Sequence, residues 1–265
     1  MRAKSGKPAW AGKWISALFW LCLWALCYRA VGQDLLLASP LQVARRLLTL
    51  AGTAAFWQTV FSSLLRTVLA YALGVAAAAP LAAACSACGL LRDLLNPALA
   101  VIRATPVTSF IILALVWLRP GNVPVLTGFL MVLPIVYANL MEGIAGTDRE
   151  LLEMGRMFHF GVRKTLLHIY VPSVLPAFAA ACEASIGLCW KATVAAEVLG
   201  VPRGAIGTQL YNAKIYLETD SLLAWTAVVI AVSMTLEKLF IAAMRTWRRK
   251  SAGAIEEGMG HAGAV

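Results

Sequence analysis

The chain has 265 residues, of which 60% are hydrophobic and 14% are charged, and its formal net charge is +10. An ordinary soluble domain is roughly 45–50% apolar and about 25% charged, so this composition excludes a soluble globule and a disordered chain. The apolar residues must face lipid, which offers no hydrogen-bonding partner to an open backbone, and we therefore predict an all-α integral membrane protein.

The N-terminal third begins with a basic tail, residues 1–13, which precedes an apolar run at 14–31. This run has no evident signal-peptide cleavage site, so we interpret it as a retained first span. Ser39-Pro40 then precedes apolar residues at helical spacing, among them Leu41 and Leu48. That pattern predicts a capped amphipathic helix at the outer membrane interface.

Uncharged stretches long enough to cross a bilayer predict about six transmembrane helices. The clearest are the 25 residues between Arg66 and Arg92 and the 22 residues between Arg119 and Glu142. The predicted spans lie near residues 14–31, 59–84, 95–118, 122–145, 173–199 and 222–244, within a membrane domain of residues 14–250. We expect residues 251–265, which are rich in Gly and Ala, to form a disordered tail.

Four prolines within or beside these spans are each expected to kink or break a helix: Pro80, Pro106, Pro124 and Pro134. The basic residues are distributed asymmetrically between the two sides. With the N-terminus inside, the inner segments carry 13 Lys and Arg residues and the outer segments carry 5. Because cytoplasmic segments carry the excess of positive charge, both termini are predicted to face the cytoplasm.

The segment of residues 146–172, between the fourth and fifth predicted spans, is predicted to be a helix-turn-helix exposed to the cytoplasm. Thr147 and Glu150 fit a capping box, in which each side chain binds a free amide of the other residue. Gly161 interrupts the first helix. A second helix, residues 162–170, is expected to end ahead of Pro172, which disfavours helical conformation in the residue before it.

Three ionisable residues, Glu183, Lys191 and Glu197, lie in the fifth predicted span. A charge at the bilayer centre costs at least about 2.5–3.5 kcal/mol, so each needs a partner or a function. Two interpretations remain open: they line a polar path for an anionic solute, or they form structural pairs with cations of other helices, with Arg103 and Arg66 as candidates. Trp190 is expected to pack as a buried aromatic residue or to contact Lys191 or a solute.

The run from Glu153 to His159, followed by Ile169-Tyr170-Val171-Pro172, resembles the EAA loop of binding-protein-dependent ABC transporter permeases. Glu153, Gly155 and Pro172 are in register with the family pattern. His159 stands where the family usually has Gly, and we expect Gly161 to supply the turn instead.

This resemblance extends over roughly residues 37–249 and is closest to the branch that imports nitrate, sulfonates, taurine and similar compounds. The other matching segments are residues 39–43, 63–66, 102–106, 195–197 with Trp190, and 204–207.

The resemblance implies the permease subunit of an ATP-driven importer in the bacterial inner membrane. Such a subunit performs no covalent chemistry and needs no cofactor or metal of its own, because a partner subunit binds ATP. The chain accordingly contains no G-x-x-x-x-G-K-[ST] loop. The implied partners are an ABC ATPase, an external substrate-binding protein and a second permease copy, with no nucleic acid.

The resemblance also assigns candidate site residues. In the family the EAA loop forms a coupling helix that sits in a groove of the ATPase, which makes these residues candidates for that contact: Leu152, Glu153, Gly155, Arg156, Met157, His159 and Gly161. The candidates for the translocation path are Arg103, Pro106, Glu183, Trp190, Lys191 and Glu197.

Two other classes of protein remain as alternatives. An ion-coupled secondary transporter would use Glu183, Lys191 and Glu197 as a proton relay, although the sequence lacks the internal repeat that such carriers often have. A membrane redox protein would be built on Cys85-x-x-Cys88, although no metal-ligand motif accompanies that pair.

Overall fold

The computed structural model describes residues 9–262, with side chains for residues 14–244 and for Thr246. Most of the basic tail predicted at 1–13, and the last three residues of the chain, lie outside the described residues. Every regular element within 9–262 is helical. The elements are α1 (Ala9–Val31), α2 (Pro40–Ala51), α3 (Ala54–Ala87), α4 (Gly89–Ala104), α5 (Val107–Trp117), α6 (Val123–Ala145), α7 (Arg149–Met157), α8 (Val162–Thr165), a π-helical turn (Leu166–Tyr170), α9 (Val171–Gly200), α10 (Ile206–Ile215) and α11 (Thr219–Ala262).

Five of the described helical segments are long and apolar enough to cross a membrane, and a bent pair of shorter helices adds a sixth candidate. The predicted all-α membrane fold with about six spans is therefore confirmed. The amphipathic helix after Ser39 is also present as α2: the Ser39 hydroxyl accepts from the Gln42 amide, and the Gln42 side chain accepts from the Ser39 amide.

The core of the molecule lies where α3, α6 and α9 pack together, around small residues that allow close approach. A Cβ added at Gly128 of α6 would stand 2.8 Å from the Ala70 Cβ on α3 and 2.9 Å from the Thr193 Oγ1 on α9. Gly74 of α3 lies equally close to Val132 of α6. These three helices form the scaffold that carries the remaining elements.

The third predicted span, residues 95–118, is broken at Pro106, one of the four prolines expected to kink or break a helix. The chain there forms α4 and α5, whose axes are bent by 105° at a short break. Thr105, with φ −80° and ψ 131°, is extended, because the ring of Pro106 disfavours helical conformation in the residue before it. The break leaves α5 as a short helix of 11 residues.

The second helix of the 146–172 segment also differs from expectation, because it does not end ahead of Pro172. It continues through the π-helical turn into α9, so that residues 162–200 form one long helical segment. Pro172 lies in the first turn of α9. We attribute the continuity to the wider π turn, in which the Val171 amide donates to the Leu166 carbonyl just ahead of the proline.

The backbone of α11 is helical as far as Ala262, where the sequence predicted a disordered tail from residue 251. Ala252, Ala254, Glu256 and Glu257 are good helix formers. Extending an existing helix adds one hydrogen bond for each residue fixed, without a new nucleation step. The tail can therefore continue α11 without tertiary contacts.

Candidate functional site

The 146–172 segment begins with a helix cap that differs from the predicted capping box. Asp148 caps α7, with its Oδ1 accepting from the Glu150 amide at 2.9 Å. The Thr147 hydroxyl instead donates to the Gly143 carbonyl, at 3.3 Å. The acidic cap lies at the positive end of the α7 dipole, which it complements.

The exposed face of α7 mixes charged and apolar side chains. Glu153 and Arg156 are exposed, as is His159 after the helix end. Met157 and Phe158 are 79% and 71% exposed, although both are large and apolar. Such exposure in a small area is typical of a surface that another protein covers.

Two of the residues predicted to contact the ATPase, Gly155 and Leu152, are not fully exposed. Gly155 is buried, and a Cβ added there would stand 2.9 Å from the Ile169 Cδ1 in the π turn. Its lack of a side chain therefore lets α7 pack on the next helix. Leu152 is half-buried, so much of its side chain is not available to a partner in this structure.

The turn after α7 is made by His159, whose φ is 51°. The His159 amide donates to the Arg156 carbonyl at 3.0 Å, and the Phe160 amide donates to the Gly155 carbonyl at 2.8 Å. These two bonds are those of a Schellman motif, which places its left-handed residue at the position of His159. The expectation that Gly161 supplies the turn is wrong, since Gly161 has φ −68° and begins α8.

The break between α4 and α5 exposes polar groups beside α9. Arg103, Pro106 and Thr108 are all exposed. No side chain caps the first turn of α5, so its free amides present a positive helix end. The first residue of α5, Val107, packs in the same cluster as Ala195 of α9.

Lys191 lies one helical turn before Ala195 on α9, and its side chain is exposed. Glu183, about two turns before Lys191 in α9, is half-buried. Within residues 14–244, Arg103, Lys191 and Glu183 take part in none of the ion pairs. Arg103 is therefore an unpaired cation close to the break, and Lys191 is an unpaired cation one turn from the α9 residue that shares a cluster with the first residue of α5.

Trp190 and Glu197, predicted as path candidates, are both 0% exposed. The Trp190 indole N–H donates to the Val229 carbonyl of α11 at 3.2 Å, and its ring packs against Ile206 and Trp225. Trp190 therefore joins α9 to α11 and α10, and does not line a surface open to a solute in this conformation.

The Glu197 carboxylate is held by three donors from two other elements. Arg66 Nη1 donates to Oε1 at 3.1 Å, and Ser63 Oγ donates to Oε2 at 2.8 Å. The Gly207 amide at the start of α10 also donates to Oε2, at 3.2 Å. For Glu197 the structural-pair interpretation is therefore the one that the contacts support, with Arg66 as the partner.

The same network secures the loop that leads into α10. The Ile206 amide donates to the Ser63 Oγ at 2.9 Å. Arg66 Nη2 donates to the Arg203 carbonyl at 3.0 Å. The sequence pattern indicated Arg66 as a candidate partner but not Ser63 or Gly207, although all three lie in the matching segments 63–66 and 204–207.

The described cysteines do not form a cluster suited to metal binding. Cys85 is buried and Cys88 is exposed, and both are free thiols. Within the part of the chain that the structure describes, no group of three or more His, Cys, Asp or Glu residues could hold a metal ion.

The chain is similar to known membrane transport proteins. Residues 71–249 match the family model described as "Binding-protein-dependent transport system inner membrane component". The chain is 26% identical over 220 residues to the taurine transport system permease protein TauC of Escherichia coli, a match that covers 81% of this chain and 80% of TauC. It is 25% identical over 186 residues to SsuC of Escherichia coli, named for aliphatic sulfonates transport, with 70% of each chain covered.

A solved structure, titled "Crystal structure of an amino acid ABC transporter with histidines", superposes with a TM-score of 0.60 at 16% identity. The match covers 71% of this chain and 94% of that chain. At this identity the likeness concerns the fold alone, and it agrees with the helical arrangement described above.

Proposed function

Since the chain belongs to the family of binding-protein-dependent transport system inner membrane components, the permease subunits of ABC importers, we propose that its solute is a small molecule with an anionic group of the sulfonate type. The family assignment supports an ATP-driven importer and gives no support to ion-coupled secondary transport. Permease subunits of this family are not themselves enzymes. We infer that ATP is hydrolysed by a separate ABC ATPase.

The observation that carries the anion proposal is the charge balance at the break between α4 and α5. Glu197, the nearby buried carboxylate of α9, is already neutralised by Arg66. Arg103, four residues before α5, and Lys191, one turn from Ala195 of the Val107 cluster, remain exposed and unpaired among the described residues. The first turn of α5 has no side-chain cap and presents a positive helix end. A positive surface within a membrane span favours an anion over a cation. Relatives named for taurine and aliphatic sulfonate transport support the same solute class.

We further propose that α7 is the helix that docks on the ATPase. Glu153 and Arg156 would form polar contacts and Met157 would enter a groove, since all three are exposed on or beside one face. The α9 helix has 30 residues, or about 45 Å at 1.5 Å per residue, which is longer than the roughly 30 Å of the hydrocarbon core. It therefore places α7 and α10 on opposite sides of the membrane. With α7 and both termini in the cytoplasm, α2 and α10 would face the external binding protein.

We propose that the working permease contains two copies of this chain. The faces of α4 and α5 that turn away from α6 expose large apolar residues, including Leu94, Val101 and Trp117. A second copy would cover these faces and place the two breaks opposite each other. The complete importer would then comprise two permeases, two ATPases and one binding protein in the bacterial inner membrane.

Charge neutralisation at the break tests the solute proposal. In proteoliposomes that contain the permease with its ATPase and binding protein, we expect Arg103→Gln and Lys191→Gln each to lower ATP-dependent taurine uptake about tenfold, about 1.4 kcal/mol in the transport barrier. Arg29→Gln, which removes an exposed cation on α1, outside the proposed path and the proposed docking surfaces, is the matched control. Full uptake by both of the first two variants would contradict the proposed anion path.

A further inference from the structure

The network around Glu197 has no part in the proposed path or in the ATPase contact, yet it joins three separate elements. Its carboxylate binds α3 through Ser63 and Arg66 and the start of α10 through Gly207. The donors are separated from Glu197 in the sequence by 134, 131 and 10 residues. We call these four residues the α10 lock.

The carboxylate also acts as a helix cap for α10. Ala205, which precedes the helix, provides no side-chain cap of its own. The Gly207 amide binds Glu197, and the Ile206 amide binds Ser63, so side chains of other helices satisfy two free amides of the first turn. A carboxylate at this position also complements the positive end of the helix dipole.

The start of α10 packs against α9 so closely at Gly207 that a side chain would not fit there. A Cβ added at Gly207 would overlap the Cβ of Glu197 and would stand 2.5 Å from the Val198 nitrogen. The Thr208 hydroxyl donates to the Pro202 carbonyl at 2.6 Å, which fixes the loop before the helix. An apolar cluster then surrounds the fully buried Ile206: Phe56, Val60, Trp190, Val194, Trp225 and Val228.

We propose that the α10 lock stays closed throughout the transport cycle, so that α3, α9 and α10 move as one rigid body and Glu197 is the positioning residue of α10. The proposal rests on the transport function inferred above. Its physical basis is the burial of the pair: separating Arg66 from a carboxylate with no exposed surface would leave an uncompensated buried charge. A state that opened the lock would therefore be strongly disfavoured, and the cycle must proceed by movement of less constrained elements, of which the exposed α5 is one.

A spin-label distance across the lock tests its rigidity. Leu199 on α9 and Tyr216 just after α10 are 44% and 73% exposed and suit labelling. The exposed cysteines Cys22, Cys27 and Cys88 would first be replaced by Ser. We expect the same single, narrow distance distribution in nanodiscs without nucleotide and after vanadate trapping with ATP and the ATPase. A different distance in the trapped state would overturn the rigid-body proposal.

Variants of the lock test whether Glu197 positions α10. We expect Glu197→Gln to broaden the Leu199–Tyr216 distribution, while a second label pair, Leu73 and Leu188 on α3 and α9, keeps its distance. A general folding defect would broaden both. Asp93→Asn, which makes the same change in an exposed ion pair, should broaden neither. An unchanged Leu199–Tyr216 distribution in Glu197→Gln would show that Glu197 does not position α10.

A milder variant and a double variant keep the test informative if Glu197→Gln folds poorly. Ser63→Ala removes one donor to the carboxylate and one cap of α10, and it should produce a smaller broadening of the same distance. Because Arg66 and Glu197 act as a pair, Arg66→Gln with Glu197→Gln should lower the melting temperature by little more than either change alone. Additive losses would contradict the coupling of the two residues.

The measurements without nucleotide separate this proposal from the transport function. They need neither ATPase nor solute, so they decide the role of Glu197 even if the complete assembly fails to import taurine. Conversely, ATP-dependent uptake together with an altered distance in the trapped state would leave the proposed function intact and refute the rigid lock.

Discussion

Three of the described residues with side chains hold a left-handed backbone conformation that glycine usually occupies. His159, Val201 and Leu217 have φ of 51°, 48° and 57°. Each directly follows a helix or its last turn, where a left-handed residue lets the final carbonyls accept hydrogen bonds. For an L-residue this conformation costs about 1–2 kcal/mol, so the surrounding structure must stabilise it.

The conformation of His159 leads to a prediction about the end of α7. His159→Val should destabilise the turn by about 1–2 kcal/mol, because a β-branched residue is least compatible with positive φ. His159→Gly should be tolerated. Hydrogen exchange of the amides of α7 would measure this, with faster exchange expected for the Val variant alone. Equal exchange in both variants would contradict a strained His159.

The position of this turn shows what could not be deduced from the sequence. The sequence identified His159 as a departure from the family pattern but favoured Gly161, since glycine adopts positive φ most readily. The two hydrogen bonds from the amides of His159 and Phe160 decide otherwise, because the Schellman geometry fixes which residue is left-handed relative to the last helical turn. The register of these hydrogen bonds decides that His159 is the left-handed residue, and residue type alone does not reveal that register.

At the scale of helices, the prolines behave differently although the sequence treated them alike. Pro80 and Pro134 lie inside α3 and α6 without ending them, and Pro124 lies in the first turn of α6. Pro106 instead ends α4 with a bend of 105°. The first two belong to helices of 34 and 23 residues whose neighbours hold them in place, whereas α4 and α5 have few packed neighbours. Proline alone predicted a kink or break at each of the four positions, whereas the packing of each helix decides which one is interrupted.

The break at Pro106 can be tested by removing the proline. A straight helix would separate Leu94 from Val116 by about 33 Å, and the observed bend brings them to about 20 Å, at 1.5 Å per residue. We expect Pro106→Ala to shift the spin-label distance between these exposed positions toward the longer value, because Thr105 regains access to helical conformation.

The matched control for that prediction is Pro97→Ala, which changes a proline inside α4. It should leave the distance between Leu94 and Val116 unchanged. If the two variants gave the same distribution, the bend would be set by packing of α5 on α9 and α6, and Pro106 would not be its cause.

At the scale of the whole molecule, the sequence predicted the helical membrane architecture and the family, but not the contacts that join distant segments. The basic residues at the ends of apolar runs were sufficient to predict the helical membrane architecture. The EAA-type elements, in their order along the chain, were sufficient to predict the family. The bond from Ser63 to Glu197 crosses 134 residues, and the bond from Ile206 to Ser63 crosses 143. No local pattern encodes such contacts, because they depend on how α3, α9 and α10 pack in space.

Because the length of α9 separates α7 from α10, we expect a change at α7 alone to uncouple transport from ATP hydrolysis. Glu153→Lys reverses a charge on the exposed face of α7, so we expect taurine uptake to fall by more than about tenfold, at least about 1.4 kcal/mol of lost coupling, while the ATPase continues to hydrolyse ATP. Membrane abundance should not change, since Glu153 is exposed and has no ion-pair partner among the described residues. Asp93→Lys makes the same charge change at an exposed site outside residues 146–172 and should preserve uptake. Normal uptake by Glu153→Lys, or an equal loss in Asp93→Lys, would contradict the assignment of α7 as the helix that couples the permease to its ATPase.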